Sequence, residues 1–187
     1  TMNITLNANE RLISPADPLL RYTGRIGMED AEAPFFIFPC SNVQLRVTGR
    51  RLKVALTNHH SYFENRLGVI VNGEQTAILL EKGEQVIDLS RLLTADVNDV
   101  LLFKRQDSCH TVQFHGFMLN EGAIVEKLPP LPKRRIEVYG DSVSAGEVSE
   151  AVGYEGQPDP QTNGELSNSY YSYSWTLARK LNAQLHD

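Results

Sequence analysis

The sequence predicts a β-sandwich of the jelly-roll type, followed by the beginning of an α/β domain with a parallel sheet. Two observations lead to this fold class. From about Asn42 to Asn120 the chain consists of short runs, several of them alternating between apolar and polar residues, that are separated by turn residues. After residue 134 a strand leads through a turn and a loop into a helical segment, which is the order of elements in an α/β unit.

Seven short runs in the first region have the composition of strands: Val43–Val47, Leu52–Leu56, Leu67–Val71, Thr76–Leu80, Gln85–Leu89, Val100–Phe103 and Val112–Phe117. Asn72-Gly73 separates two of them and favours a type I′ hairpin turn, because both residues tolerate a positive φ. Few helical periods lie between the runs, so they indicate two packed sheets. The long connection from Thr57 to Arg66 favours a jelly roll over a simple meander.

The character of the sequence changes at the segment from Lys127 to Arg135. Residues 129, 130 and 132 are prolines, which cannot occupy a central strand and favour a stiff, extended connection. We therefore predict a jelly-roll domain at residues 1–128, a linker at 129–134, and the N-terminal part of an α/β hydrolase domain at 135–187. The remainder of that second domain is expected to lie outside this sequence.

The second region reads as strand, turn, loop and helix. Arg135–Tyr139 is a predicted strand that runs into Gly140-Asp141-Ser142, and a polar loop follows from about Gly153 to Ser167. Asn168 has the character of an N-cap for one helix through about Asn182. One face of this helix is expected to carry Tyr170, Tyr173 or Ser174, Leu177, Ala178 and Leu181. A second strand should begin at Gln184–Asp187.

Composition and charge exclude several classes of function. The formal net charge is -5, which does not suit a polyanionic nucleic acid. The sequence contains no run of roughly 18 apolar residues, so we expect no membrane span. If Met2 is the natural start, no secretory signal is present and the protein is cytoplasmic; otherwise it is secreted. The two cysteines, Cys40 and Cys109, are expected to be reduced and buried.

Ser142 is the candidate nucleophile. A strand that ends in a glycine and a serine places the hydroxyl at the carboxyl edge of a sheet, where ligands bind in open α/β folds. Gly140 permits a tight turn, and Gly146 permits close approach of the next segment. We interpret Asp141 as an acceptor that stabilises the turn, and the Ser142 backbone N–H as an oxyanion donor. The competing interpretation is a serine that only caps a helix.

The sequence around Ser142 resembles the first conserved block of the SGNH, or GDSL-like, hydrolases, which have a flavodoxin-like parallel sheet. The rest of the chain is similar to carbohydrate esterase family 2, in which a jelly roll precedes an SGNH domain. Val143 departs from the pattern, since a leucine or isoleucine is usual there. The resemblance rests on residues 136–146 and on Arg21–Ile26, Leu102–Arg105, Phe114–Phe117, Asn168–Tyr171 and Ala178–Ala183.

The resemblance implies a serine esterase that removes acetyl groups from polysaccharides or oligosaccharides of the xylan or mannan type. It implies neither a cofactor nor a metal. The family's later glycine, asparagine and histidine all fall beyond Asp187, so the general base is not in this chain. Two alternatives stay open: a non-catalytic carbohydrate-binding module with an incomplete hydrolase domain, and a GDSL-type lipase or thioesterase. The oligomeric state is not predicted.

Several other residues have side chains that could carry chemistry. Asp107-Ser108-Cys109-His110 matches an Asp-x-x-His pattern but precedes the serine, so we interpret the match as coincidence. His186 and His115 are expected to be structural, and His59, His60 and Glu64 to form a solvated loop rather than a metal site. Most of the aromatic residues Tyr170, Tyr171, Tyr173 and Trp175 are expected in the core or at a domain contact, and one or two of them could stack on a sugar ring. The loop from Gly153 to Ser167 is a candidate wall of a sugar-binding cleft.

Overall fold

The N-terminal part of the molecule is a sandwich of two antiparallel sheets, which confirms the predicted fold class. The computed structural model describes residues 2–187. Twelve strands form the sandwich: β1 (Glu10–Ile13), β2 (Arg21–Thr23), β3 (Ile26–Gly27), β4 (Phe35–Phe36), β5 (Asn42–Thr48), β6 (Lys53–His59), β7 (Arg66–Val71), β8 (Glu74–Leu79), β9 (Gly83–Asp88), β10 (Val97–Lys104), β11 (Thr111–Asn120) and β12 (Val125–Glu126).

Each sheet is built around one long strand with partners on both sides. The first sheet has the order β3-β4-β11-β6-β9, and β1 also pairs with β11. The second has the order β12-β5-β10-β7-β8, and β2 also pairs with β5. The alternation that predicted β5 places Val43, Leu45 and Val47 in the core, each at most 1% exposed. The apolar faces of the two sheets therefore meet in a single core.

The sequence prediction missed β1 to β4 and β12. These strands have two to four residues each, too few for an alternating pattern to be recognised. They exist because the long strands offer unpaired backbone groups. Ile13, for example, pairs with Phe117 of β11, and Tyr22 pairs with Val43 of β5.

The hairpin prediction at Asn72-Gly73 is confirmed. Asn72 has φ 50 and Gly73 has φ 87, the positive values that a type I′ turn requires. The connection before β7 is shorter than predicted, because pairing with Gly83 and Thr111 extends β6 as far as His59.

The second region contains a two-stranded parallel sheet and short helices. Strand β13 (Arg134–Glu137) pairs in parallel with β14 (Ala183–His186), so the second strand forms within this sequence. Helix α1 (Ser142–Ala145) follows β13, and a 3-10 turn at Ser169–Tyr171 precedes helix α2 (Tyr173–Lys180). Across residues 2–187 no helix is both long enough and apolar enough to cross a bilayer.

The prediction of one helix from Asn168 to Asn182 is wrong. The Asn168 side chain caps only the 3-10 turn, by accepting a hydrogen bond from the Tyr170 N–H. The chain then becomes extended at Ser172, whose hydroxyl accepts from the Trp175 N–H and starts α2. The buried face of α2 contains two residues of the predicted face, Ser174 and Ala178, together with Trp175. Leu177 and Leu181, which were also predicted there, are exposed.

Candidate functional site

Ser142 is the first residue of α1 and is exposed to solvent. The strand before it is continued by one further bond, from the Val138 N–H to the His186 carbonyl at 2.9 Å. Asp141 is extended, and its Oδ1 accepts from the Val143 N–H at 3.1 Å. The carboxylate is therefore bound to the backbone of the turn, and Ser142 presents its hydroxyl at the carboxyl end of β13.

Two glycines allow the chain to fold closely around Ser142. A Cβ on Gly140 would clash with the Ser144 Oγ, which donates a hydrogen bond to the Asp141 carbonyl at 2.9 Å. Gly146 ends α1 with φ +74, and a Cβ there would lie 2.7 Å from the Asn168 carbonyl oxygen. Any larger residue at either position would push the neighbouring backbone or side chain away from the turn.

A cleft separates the Ser142 turn from the sandwich. Arg25, Phe38 and Asp107 line it from the sandwich, and Tyr139 and Ser142 line it from the second region. The site is therefore shared between the two regions, an arrangement that the sequence analysis did not predict.

Arg25 of the sandwich contacts two residues that precede the Ser142 turn, Glu137 and Tyr139. Its guanidinium carbon lies 4.3 Å from the centroid of the Tyr139 ring, within the range of a cation–π contact. The Glu137 Oε1 is 4.0 Å from an Arg25 nitrogen. The neighbouring Tyr139 side chain raises the pKa of Arg25 above its ordinary value. The side chain thus carries a positive charge next to the candidate nucleophile.

A buried polar network lies beneath the turn. The Asp187 Oδ2 accepts from the Ser174 Oγ at 2.8 Å, and the Ser174 Oγ lies 3.0 Å from the Ser144 carbonyl oxygen. Burial raises the pKa of the Asp187 carboxyl. The Cys40 Sγ is 3.8 Å from the same carboxylate, and burial raises the pKa of that thiol as well. This network joins the support of the turn to the sandwich residue Cys40.

On the other side of Ser142 lies a second groove. Asp159 contributes to it, together with Tyr171 and Tyr173. Asp159 belongs to the loop from Gly153 to Ser167, so part of that loop lies beside the candidate nucleophile. Both tyrosines are exposed, at 52% and 55%, whereas Trp175 is buried and Tyr170 packs against the buried cluster that contains Trp175.

The Asp-x-x-His segment is adjacent to the site but does not place its histidine there. Asp107 and Ser108 line the cleft with Ser142. His110 is fully buried, its Nδ1 accepts from the Ser61 N–H at 3.0 Å, and burial, with Lys104 and His60 nearby, lowers its pKa to about 4. A ring held in this way supports the loop and does not reach a substrate.

The remaining histidines have structural surroundings. The His115 Nε2 lies 2.8 Å from the Thr57 Oγ1, and the side chain is buried. His186 pairs with Glu137 across the parallel strands. His60 stacks near His110, with 5.1 Å between the ring centroids. Within residues 2–187 no group of three or more His, Cys, Asp or Glu side chains is arranged to hold a metal ion.

Lys104 and Arg105 hold loops at the site by hydrogen bonds, and the sequence analysis did not identify either residue as a candidate. Lys104 is 1% exposed, and its Nζ donates to the carbonyls of Gln106 and Asp107, which form the loop at the cleft. Burial lowers the pKa of Lys104 to about 8. Arg105 donates to the Glu150 carboxylate at 2.6 Å. In the sequence, both residues lie in the segment Leu102–Arg105, which is one of the segments that resemble the family.

Cys40 and Cys109 are both free thiols. Cys40 is buried as expected, but Cys109 is only partly buried, because it lies on the loop beside the cleft. Burial and the neighbouring Asp107 raise the pKa of Cys109 to about 11, so the thiol stays protonated at neutral pH.

The fold and the turn define a class of protein in which a β-sandwich is joined to a strand, a serine turn and a helix. The chain belongs to the carbohydrate esterase 2 N-terminal family, because the sequence model of that family matches residues 22–130. This confirms the resemblance identified from the sequence.

Three relatives illustrate the similarity. The chain is 30% identical to a cellulase/esterase CelE of Acetivibrio thermocellus over 169 residues, which are 89% of this chain and 20% of that protein. It is 26% identical to an acetylxylan esterase / glucomannan deacetylase of Cellvibrio japonicus, covering 97% of this chain and 49% of that protein. A solved family two carbohydrate esterase from Clostridium thermocellum, in complex with cellohexaose, matches with a TM-score of 0.78 and 26% identity, covering 89% and 50% of the two chains. The chain thus spans half or less of these relatives.

Proposed function

We propose that this chain carries the nucleophile of a carbohydrate acetyl esterase, with Ser142 attacking acetyl esters on polysaccharides or oligosaccharides of the xylan or mannan type. The observation that carries the proposal is the exposed Ser142 at the carboxyl end of β13, in a cleft flanked by the sandwich. The substrate class is supported by the similarity to an acetylxylan esterase / glucomannan deacetylase.

In the proposed reaction, the Ser142 Oγ forms a bond to the acetyl carbonyl carbon while its proton passes to a general base. The bond from that carbon to the sugar oxygen then breaks, and the sugar hydroxyl leaves with the proton. Water hydrolyses the acetyl-serine and releases acetate. The backbone N–H of Ser142, in the first turn of α1, is not used by the helix and can donate to the oxyanion.

The general base has to come from outside these 187 residues. Among the described residues that line the two clefts at Ser142, none is a histidine. The proposed activity therefore belongs to this chain together with further polypeptide, in keeping with its span of 49% of the acetylxylan esterase relative.

The test is covalent labelling with a fluorophosphonate probe, followed by mass mapping of the adduct, on the chain together with the polypeptide that supplies the base. Labelling is expected at Ser142 and is expected to be lost in Ser142→Ala. Turnover of an acetylated xylo-oligosaccharide should fall in that variant by roughly three or more orders of magnitude. Turnover within tenfold of the wild type would contradict the proposal.

A second candidate function is a carbohydrate-binding module without catalysis. The absence of a histidine from the clefts lined by Ser142, within residues 2–187, favours it. Sugar binding without labelling of Ser142, in a protein that contains the additional polypeptide, would support this second function.

A further inference from the structure

We propose that the sandwich itself supplies a sugar-binding subsite to the Ser142 cleft, in which the Phe38 ring stacks on a sugar ring and Arg25 and Asp107 bind sugar hydroxyls. The ligand class is a neutral β-linked oligosaccharide. The inference rests on the proposed function and extends it, because it states how the acetylated sugar would be held beside Ser142. Sugar binding can nevertheless be measured without any ester cleavage.

The first step is the placement of Phe38. Its side chain is 40% exposed and lines the same cleft as Ser142. Tyr139, which is 79% exposed, lines the cleft from the second region. Exposed aromatic rings at a cleft offer flat apolar faces, which match the C–H faces of a pyranose ring. The aromatic surface here therefore comes from both regions of the molecule.

The second step is the rigidity of the loop that carries Phe38. The Ser41 Oγ donates to the Phe38 carbonyl at 2.5 Å. Cys40 has a positive φ of 68, and its N–H donates to the Lys104 carbonyl at 3.1 Å. A strained backbone persists only where its surroundings hold it, and the buried Cys40 thiol packs against Ser169 and Asp187. Phe38 is thus fixed before a ligand arrives.

The third step is the contact between this loop and the one that carries Arg25. Gly24 has φ +105, and a Cβ on it would lie 2.8 Å from the Ser41 Cα. The glycine therefore lets the two loops touch. The Arg25 Nη2 is shielded from solvent and faces the Glu137 Oε1 at 4.0 Å, too far for a hydrogen bond, so it has no hydrogen-bond partner within residues 2–187. A buried donor of this kind is stabilised when a ligand oxygen accepts from it.

The fourth step is the charge balance of the cleft. Arg25 supplies donors, and the Asp107 carboxylate is held in place by accepting from the Cys109 N–H at 2.9 Å. Asp141 and Asp187 also line the cleft. A cleft with one cation and several carboxyl groups disfavours a polyanion, whereas neutral sugar hydroxyls can both donate and accept there. The chemistry therefore favours a neutral glycan.

The experiment is a calorimetric titration, with cellohexaose and with xylohexaose, of the chain together with the polypeptide that supplies the base, carrying Ser142→Ala. Adding Phe38→Ala should weaken binding at least tenfold, whereas Phe38→Trp, which keeps an aromatic face, should stay within about threefold. Tyr62→Ala is the matched control, because Tyr62 is a 63% exposed aromatic of the sandwich that does not line the cleft. Equal affinity in Phe38→Ala and its parent, or binding of neither sugar by the parent, would overturn the subsite.

A parallel measurement separates this inference from the proposed function. In the chain together with the polypeptide that supplies the base, the rate of fluorophosphonate labelling at Ser142 should be the same with and without the Phe38→Ala substitution, because the probe has no sugar. If sugar binding depends on Phe38 but Ser142 is never labelled, the esterase proposal fails and the subsite stands. If Ser142 is labelled and sugar binding ignores Phe38, only the subsite is overturned.

Discussion

The sandwich and the strand–turn–helix region bury their apolar side chains in different ways. The sandwich encloses a continuous core that contains only its own residues, among them Leu45, Val69 and Phe117, all at 0% exposed. The buried cluster of the second region combines Trp175, Ala178 and Leu185 with two sandwich residues, Cys40 and Phe103.

The difference shows that the second region depends on the sandwich for its packing. The Phe103 ring projects from β10, lies 5.1 Å from the Trp175 ring between centroids, and fills the space above Gly68. Trp175, Ala178 and Leu185, on the helix and strand behind the Ser142 turn, are therefore buried against the sandwich.

The largest expected effect comes from the sandwich core. Phe117→Ala should destabilise the protein by about 3–5 kcal/mol, because it removes a fully buried ring that packs edge to face against Phe114. Urea unfolding should show the β signal in circular dichroism and the Trp175 fluorescence falling together. Leu185→Ala is the contrast: its loss of about 2–4 kcal/mol should change the Trp175 signal first. If the Trp175 fluorescence persists after the β signal of the sandwich is lost, the second region does not depend on the sandwich for its packing.

The next effect concerns the connection between Arg105 and the loop before α2. Arg105 binds the Glu150 carboxylate at 2.6 Å and the carbonyls of Ser167 and Glu165 at 2.9 Å each. Arg105→Met should cost about 2–4 kcal/mol, because it leaves these acceptors without their buried partner. Limited proteolysis should then cut faster within residues 153–163.

The matched control for Arg105 is an exposed ion pair of the sandwich. Arg46 lies 2.7 Å from Asp99, and its side chain is more exposed than that of Arg105. Arg46→Met should change the stability by at most about 1 kcal/mol and leave the proteolysis unchanged. Equal effects of the two substitutions would show that the loop is not held through Arg105.

A smaller effect is expected from the titration of His110. Burial holds its folded pKa at about 4, below the ordinary 6.5, so the unfolded chain takes up a proton first as the pH falls. The stabilisation is complete above pH 6.5 and is lost as the pH falls towards 4. His110→Asn keeps an acceptor for the Ser61 N–H but does not titrate. The difference in unfolding free energy between the two proteins should change across this window, and a constant difference would contradict the assignment.

The smallest effect is confined to the second region. Ser172→Ala removes the hydroxyl that caps α2 by accepting from the Trp175 N–H at 3.2 Å. The expected cost is about 1 kcal/mol. Hydrogen exchange should increase in α2, with no change in β5 or β11. Increased exchange in the sandwich strands would show that the two regions unfold as one unit.

Much of the fold could be predicted from local patterns. Alternation identified the long strands, and Asn72-Gly73 identified its hairpin, because both are set by residues close together in the chain. The short strands β1 to β4 were missed because partners distant in sequence define them. The division of the helix at Ser172 was missed because Asn168 and Ser172 are both good N-caps, and the sequence does not state which one begins α2.

The candidate site was predictable only in part. Strand, glycine and serine in succession indicated Ser142, since the chemistry of that turn is local. Its neighbours from the sandwich, Arg25, Phe38 and Asp107, lie 35 to 117 residues before it in the sequence, and no pattern links them to it. Only folding brings them to one cleft.

By itself, the sequence determined the long strands, the Asn72-Gly73 hairpin turn and which serine stands at the end of β13. These properties follow from side-chain periodicity and from backbone preferences, which act over a few residues. The tertiary structure decided that the sandwich packs through Cys40 and Phe103 against the helix and strands that flank the serine turn, and that it forms one wall of the Ser142 cleft. Contacts of that kind depend on the burial of surfaces from distant parts of the chain, which no local pattern encodes.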